Sequence, residues 1–173
     1  MSNTVPSLHW SYSSIRPRLA KSALAFGALF VAAGLAFAGE CPSDKRVPDG
    51  QGQKAGPTAP VGVTDVVRST TDLSKEPAAI AGRQFRLRQL DIAPGGIVPW
   101  HSHDNRPAMI YIVSGEIYEY SSSCAVPILH KAGDVAPEKK GTSHWWKNAG
   151  SAPVLLISVD LFPGAAQMDS HMM

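Results

Sequence analysis

The sequence predicts an all-β domain, a barrel or sandwich of short strands. Three observations carry this. The chain has 15 Gly and 14 Pro in 173 residues, more turn formers than a helical domain usually holds. Short apolar runs follow one another with turn signals at the spacing of roughly 8 to 12 residues that marks barrels and sandwiches. No amphipathic helical period shows between residues 83 and 163. At 44% hydrophobic and 17% charged, the chain has the composition of a globular domain with its own core.

Taken from the N-terminus, residues 1–38 read as a secretory signal peptide. Arg16, Arg18 and Lys21 precede the apolar run SALAFGALFVAAGLAFA, which ends in Ala36-Phe37-Ala38, and no acid occurs before Glu40. The run is short of the ~20 residues that span a bilayer comfortably, so cleavage after Ala38 is expected, with an uncleaved anchor as the alternative. Removing this segment leaves 13 Lys and Arg (16 − 3) against 14 Asp and Glu, a formal charge of about −1. The apparent basicity belongs to the leader, and nothing beyond Lys139-Lys140 suggests a nucleic-acid surface. Export leads to a periplasmic or secreted location with no stable membrane anchor. It also opens a disulfide between the two cysteines, Cys41 and Cys124, with two free thiols as the alternative.

Residues 39–80 read as an irregular arm rich in Pro, Gly and Lys, with a short strand signal at Val63 to Val67 and a turn of helix after it. The barrel domain is expected over residues 81–165, with a tail at 166–173. RQFRLRQLDI alternates, placing Phe85, Leu87 and Gln89 on one face and Arg86, Arg88, Leu90 and Ile92 on the other. After Pro94-Gly95-Gly96 come IVPWHSH, AMIYIVSGEIYEY, VPILHKAGDVAP, HWWKN and APVLLISVDLF, each a strand-length run.

Two histidines one pleat apart, His101 and His103, point to the same side of a strand and suit one metal ion. A third ligand, His144, and Trp146 and Asn148 share another strand face. Three imidazoles accept Fe, Mn, Co, Ni, Cu or Zn on ligand type alone. Among the other residues, Arg106 could pair with a substrate carboxylate, and Trp146 and Tyr111 could touch a ligand. Trp100 and Trp145 read as packing residues, His130 as a surface residue at a strand end, and Gly115 and Gly133 as turn glycines.

Gly95, five residues, His101-Ser102-His103 and then Gly115 twelve positions later resemble the first motif of the cupins. Gly133, seven residues, Gly141, two residues, His144, three residues and Asn148 resemble the second. The resemblance covers about residues 83 to 162. It implies a small double-sheet jelly roll, the cupin β-barrel, whose two motifs face each other, and a homodimer. One departure stands out: Ala108 occupies the position where the first motif usually carries a Glu. Three arrangements remain open. The centre has three His and an open position, as in some cupin dioxygenases. Or a carboxylate arrives from elsewhere, with Glu138, Glu116 and Glu119 as candidates. Or no metal is held and the pocket binds a ligand directly.

Two functions follow. One is an exported metal-dependent enzyme, of dioxygenase, isomerase or lyase type, acting on a small polar or carboxylated substrate. The other is a non-catalytic periplasmic protein that binds a small ligand or metal. No Gly-x-Ser-x-Gly, Walker loop, Gly-x-Gly-x-x-Gly or Cys-x-x-Cys occurs, which disfavours hydrolase, nucleotide and thiol-redox chemistry.

Overall fold

A computed structural model describes residues 39–164; the leader and the tail read from the sequence lie outside them. Eight strands form the domain: β1 (Val61–Asp72), β2 (Arg83–Ser102), β3 (Ala108–Ser114), β4 (Glu116–Ser121), β5 (Ile128–Lys131), β6 (Val135–Glu138), β7 (Ser143–Lys147) and β8 (Val154–Pro163). Short 3₁₀ turns at Ser43–Lys45 and Leu73–Lys75 are the helical elements among the described residues. The strand order is β5-β4-β7-β2-β8-β3-β6, with β1 added beside β2. This is the expected all-β jelly roll.

Strand β2 joins its two halves. Residues 83–92 pair with β8 and β1, whereas Ile97 to Ser102 pair with β7. Between them the chain bends at Pro94-Gly95-Gly96, where Gly95 has φ +75, a conformation glycine adopts without cost. Asn148 ties this bend down. Its side-chain amide donates to the carbonyls of Ile92 (3.1 Å), Ala93 (3.1 Å) and Ala152 (2.8 Å). The second-motif Asn is thus a structural clasp.

The inner faces carry the core: Leu90 and Ile92 of β2, Ile110 and Ile112 of β3, Ile117 of β4, Ala136 of β6, Trp146 of β7, Val154 and Leu156 of β8. The period-2 reading of β2 holds, with Leu90 and Ile92 inside and Phe85 outside. Arg86 and Arg88 share the inner side, where Asp160 of β8 receives them. Pro137 lies in β6, at an end of the strand order, where its missing N–H breaks no ladder.

One expectation needs correction here. The segment before residue 81 is more than an arm: the short strand signal at Val63 to Val67 grows into a twelve-residue strand that pairs with β2 from Asp72↔Gln84 to Val61↔Ile97. The alternation of Val and Thr was diluted by polar residues because β1 is an added strand with little to bury. Ahead of it, Cys41 and Cys124 form a disulfide with Cα atoms 5.9 Å apart. Arg46 bridges to Cys124, and Gly52 and Gln53 donate to the carbonyls of Ser122 and Ser121, so the arm is fastened along the end of β4.

Candidate metal centre

His101 and His103 reach the barrel interior from the end of β2, and His144 faces them from β7, where His101 and His144 are direct register partners. His103 and His144 are buried, and His101 is partly exposed. Each ring is oriented by its Nδ1. His101 Nδ1 lies 2.8 Å from the Pro99 carbonyl, His103 Nδ1 lies 2.7 Å from the Arg106 carbonyl, and His144 Nδ1 lies 2.7 Å from Glu119 Oε1. With Nδ1–H donated outward, the three Nε2 lone pairs are left to converge. His144 Nε2 is 3.2 Å from His101 Nε2 and 3.0 Å from His103 Nε2.

Glu138, at the end of β6, completes the cluster. One carboxylate oxygen is 3.0 Å from His103 Nε2 and the other 3.2 Å from His144 Nε2. The four ligand atoms all lie within 4.8 Å of one another. With metal–ligand bonds of about 2.1 Å, ligands 90° apart are separated by about 3.0 Å, which the four spacings of 3.0 to 3.2 Å match. Glu138 Oε1 is buried and accepts no hydrogen bond, a lone pair that a cation would satisfy. The donor set therefore fits a divalent transition metal.

Register explains where the carboxylate comes from. Ala108 of β3 pairs directly with Glu138 of β6 and, on its other side, with Asp160 of β8. Antiparallel partners present their side chains to the same face, about 5 Å apart. The acid absent from position 108 is thus supplied by its cross-strand neighbour. A full inner row reads Arg86, Asp160, Ala108, Glu138 across β2, β8, β3 and β6. Of the other acids named from the sequence, Glu116 is exposed, and Glu119 supports the cluster from behind.

Charges inside the cluster are strongly coupled. Burial and the neighbouring His144 and His103 push His101 well below its ordinary value. Burial would lower His144 too, but Glu138 and Glu119 outweigh it and raise His144 to about 10. Burial opposes the ionised form of Glu138, yet His144 and His103 hold its carboxyl well below the usual range. In the metal-free protein a proton on His144 offsets part of the charge of Glu119 and Glu138. A metal ion would take that proton's place, so uptake exchanges one for the other.

His130 is corrected from a surface residue to a fully buried one, 0% exposed. It pairs with Ile117 across β4–β5, and its Nε2 lies 2.9 Å from Glu119 Oε2. Glu119 thus holds His144 with one oxygen and His130 with the other. The sequence signal was parity: His130 follows Ile128 by two residues on one strand. Tyr111 is also corrected. It is 47% exposed on the outer face of β3, between inward Ile110 and Ile112, and cannot meet a ligand in the barrel. Trp145 stacks on Tyr120 with centroids 4.0 Å apart, a packing role. Trp146 packs against His130 and, edge-on, His144.

A cavity of about 300 Å³ opens beside the cluster. His101, Glu138, Arg106 and Trp146 are among its lining residues, with Leu90, Ile110 and Leu156 giving it an apolar wall.

A family model described as a cupin domain matches residues 88–160. The auxin-binding protein ABP19a of Prunus persica is 31% identical over 135 residues, 66% of this chain and 65% of that protein. A germin-like protein, subfamily 2 member 2 of Arabidopsis thaliana, is 30% identical over 87 residues, 47% of this chain and 40% of that protein. The chain thus spans less than two thirds of the length of these relatives. Among solved structures, a predicted oxalate decarboxylase from Thermotoga maritima superposes with a TM-score of 0.49 at 20% identity, over 71% of this chain and 98% of that one. With its two motifs, its jelly-roll sheet and this family match, residues 88–160 of the chain form a cupin domain.

Proposed function

We propose that the chain binds one divalent transition metal through Nε2 of His101, His103 and His144 together with the Glu138 carboxylate, and acts on a small molecule in the adjoining cavity. The observation that carries this reading is the convergence of three oriented imidazoles and a buried carboxylate with an unsatisfied oxygen. When bound, such an ion supplies Lewis-acid polarisation of a substrate oxygen. The chain's own residues do the rest. The backbone carbonyls of Pro99 and Arg106 and the carboxylate of Glu119 fix the rings through Nδ1. Trp146 and the apolar wall exclude water from the ligand. Dioxygenase, isomerase and lyase reactions all fit this arrangement, and the metal is Fe, Mn, Ni, Co, Cu or Zn.

The same proposal places the protein outside the cytoplasm, after removal of residues 1–38. The Cys41–Cys124 disulfide supports an oxidising compartment. A second reading, a non-catalytic binding protein, is favoured by the relatives whose names describe auxin binding.

Elemental analysis of protein exported to the periplasm tests the first reading. One metal per chain is expected, and none in a His101→Ala/His144→Ala variant. Unchanged metal in that variant would sink it. Oxygen uptake and substrate turnover by the loaded protein then separate the enzyme from the binder.

A further inference from the structure

The end of the cavity near the arginines holds more positive charge than its acids balance. Three guanidinium groups, of Arg86, Arg88 and Arg106, gather around Asp160, which is 1% exposed. Arg86 occupies both of its oxygens, Nε to Oδ1 at 3.0 Å and Nη2 to Oδ2 at 2.7 Å, and lies 3.6 Å over the Phe162 ring. Arg106 reaches the already occupied Oδ2 at 3.3 Å, and Arg88 approaches the same atom at 3.7 Å. Arg88 also pairs with Asp65 and donates to Ser158 Oγ at 3.3 Å. Two carboxylates, Asp160 and Asp65, therefore pair with three cations, and Glu138, which also lines the cavity, belongs to the metal cluster.

The surplus lies in the cavity. Arg88 and Arg106 both line it, with Asp65 and Ser158 beside them. Arg106 is only 5% exposed, and the Nε donors of Arg88 and Arg106 are both buried without a partner. Burial and the adjacent Arg88 charge depress Arg106, the mark of like charges confined together. An unpaired buried donor on a cation is costly, and an anion with two oxygens in one plane would satisfy it. Beyond the arginines the wall is apolar, formed by Val63, Leu90, Val98, Ile110, Trp146 and Leu156.

We propose that Arg88 and Arg106 form a seat for the carboxylate of a small acid with an apolar body, the body lying along this wall. With Glu138 engaged by the metal, a monoanion balances the one surplus charge, whereas a phosphate dianion would overshoot it. The proposal deepens the metal reading and rests on it for the ligand's direction: carboxylate on the arginines, the remainder facing His101 and Glu138.

Isothermal titration with benzoate and with its neutral amide, benzamide, tests it on the metal-loaded and the chelator-treated protein. Benzoate is expected to bind at least about tenfold more tightly than benzamide, the worth of one charge-assisted bond. Arg106→Met, with its metal content unchanged, is expected to remove that preference. Should that variant not fold, Arg88→Met reads the same seat and is expected to remove it too. Equal binding of acid and amide, or no binding of either up to about 10 mM, overturns the proposal. So does a preference that survives Arg106→Met but disappears on chelation, since the metal alone would then hold the anion. An arginine-dependent preference in a protein that never takes up metal upholds the seat and sinks the metal reading instead.

Discussion

At the scale of single residues, Glu138 carries the largest consequence. Glu138→Ala removes a ligand and leaves His144 with one acid fewer, so metal affinity should fall by about 100-fold or more, measured by competition with a chelating dye. Adding Ala108→Glu to that variant should restore much of the loss, because the two positions are cross-strand partners on the inner face. Ala108→Glu alone should destabilise the protein, since it would crowd three carboxylates, Asp160, residue 108 and Glu138, into one row. A double variant no better than Glu138→Ala would count against the exchange. Glu119→Gln tests the supporting layer. It keeps an acceptor for His144 but loses the charge, and should cost about 10-fold to 100-fold in metal affinity. His101 and His103 were legible from their spacing, because a period of two decides the face whatever the fold, and His144 from the second motif. Glu138 was only one of three candidates, since choosing it requires the β3–β6 register. His130 was missed because the polar character of an imidazole was weighed above its parity.

Among the elements, β2 decides the architecture. It serves two groups of strands, and the turn at Gly95-Gly96 lets it do so. The two glycines matter for different reasons. A Cβ on Gly95 would meet nothing within 4 Å, but its φ of +75 is strained for other residues. A Cβ on Gly96 would lie 2.7 Å from the Ala93 carbonyl oxygen and 2.7 Å from Ile92 Cγ2. Gly95→Ala should therefore cost about 1 kcal/mol, and Gly96→Ala about 2 kcal/mol or more through overpacking. Urea denaturation of the two variants checks the ranking, and a reversed order would show that backbone strain outweighs contact here. The strands from β2 onward were readable because each has one buried face, which writes an alternation into the sequence. Strand β1 was read only in part. Most of its residues are exposed, so few apolar positions mark its length.

Viewed as a whole molecule, stability draws on a covalent clasp and on buried charge. The disulfide closes a loop of 83 residues. Its loss in Cys41→Ser/Cys124→Ser should cost about 4 kcal/mol, measured by chemical denaturation of both forms. Acid acts through the carboxylates. Burial would raise Glu119, but His144 and His130 hold it at about 2 against an ordinary 4.5. A carboxyl lowered on folding adds stability that is complete above its unfolded value and drains away as pH falls toward the folded one. The metal-free protein should thus lose melting temperature between about pH 4.5 and about pH 2, and Glu119→Gln should flatten the profile. A wild-type profile already flat across that range would argue against the buried pair. The all-β class and the two facing motifs were legible at this scale. The charge balance around Asp160 was not, because Arg86, Arg88 and Arg106 meet it only through pairings as far as 74 residues apart in sequence.

The ladder partnership of Ala108 and Glu138 means that a ligand is addressed by its place in the sheet and not by its place in the chain. Two codons some thirty positions apart then encode one chemical function interchangeably. A lineage could hand the carboxylate from one strand to the other through an intermediate carrying both, with like-charge repulsion as its penalty and no moment without an acid. A search that demands an acid inside the first motif would pass over such chains. One that asks for an acid at either of two paired sheet positions would find them.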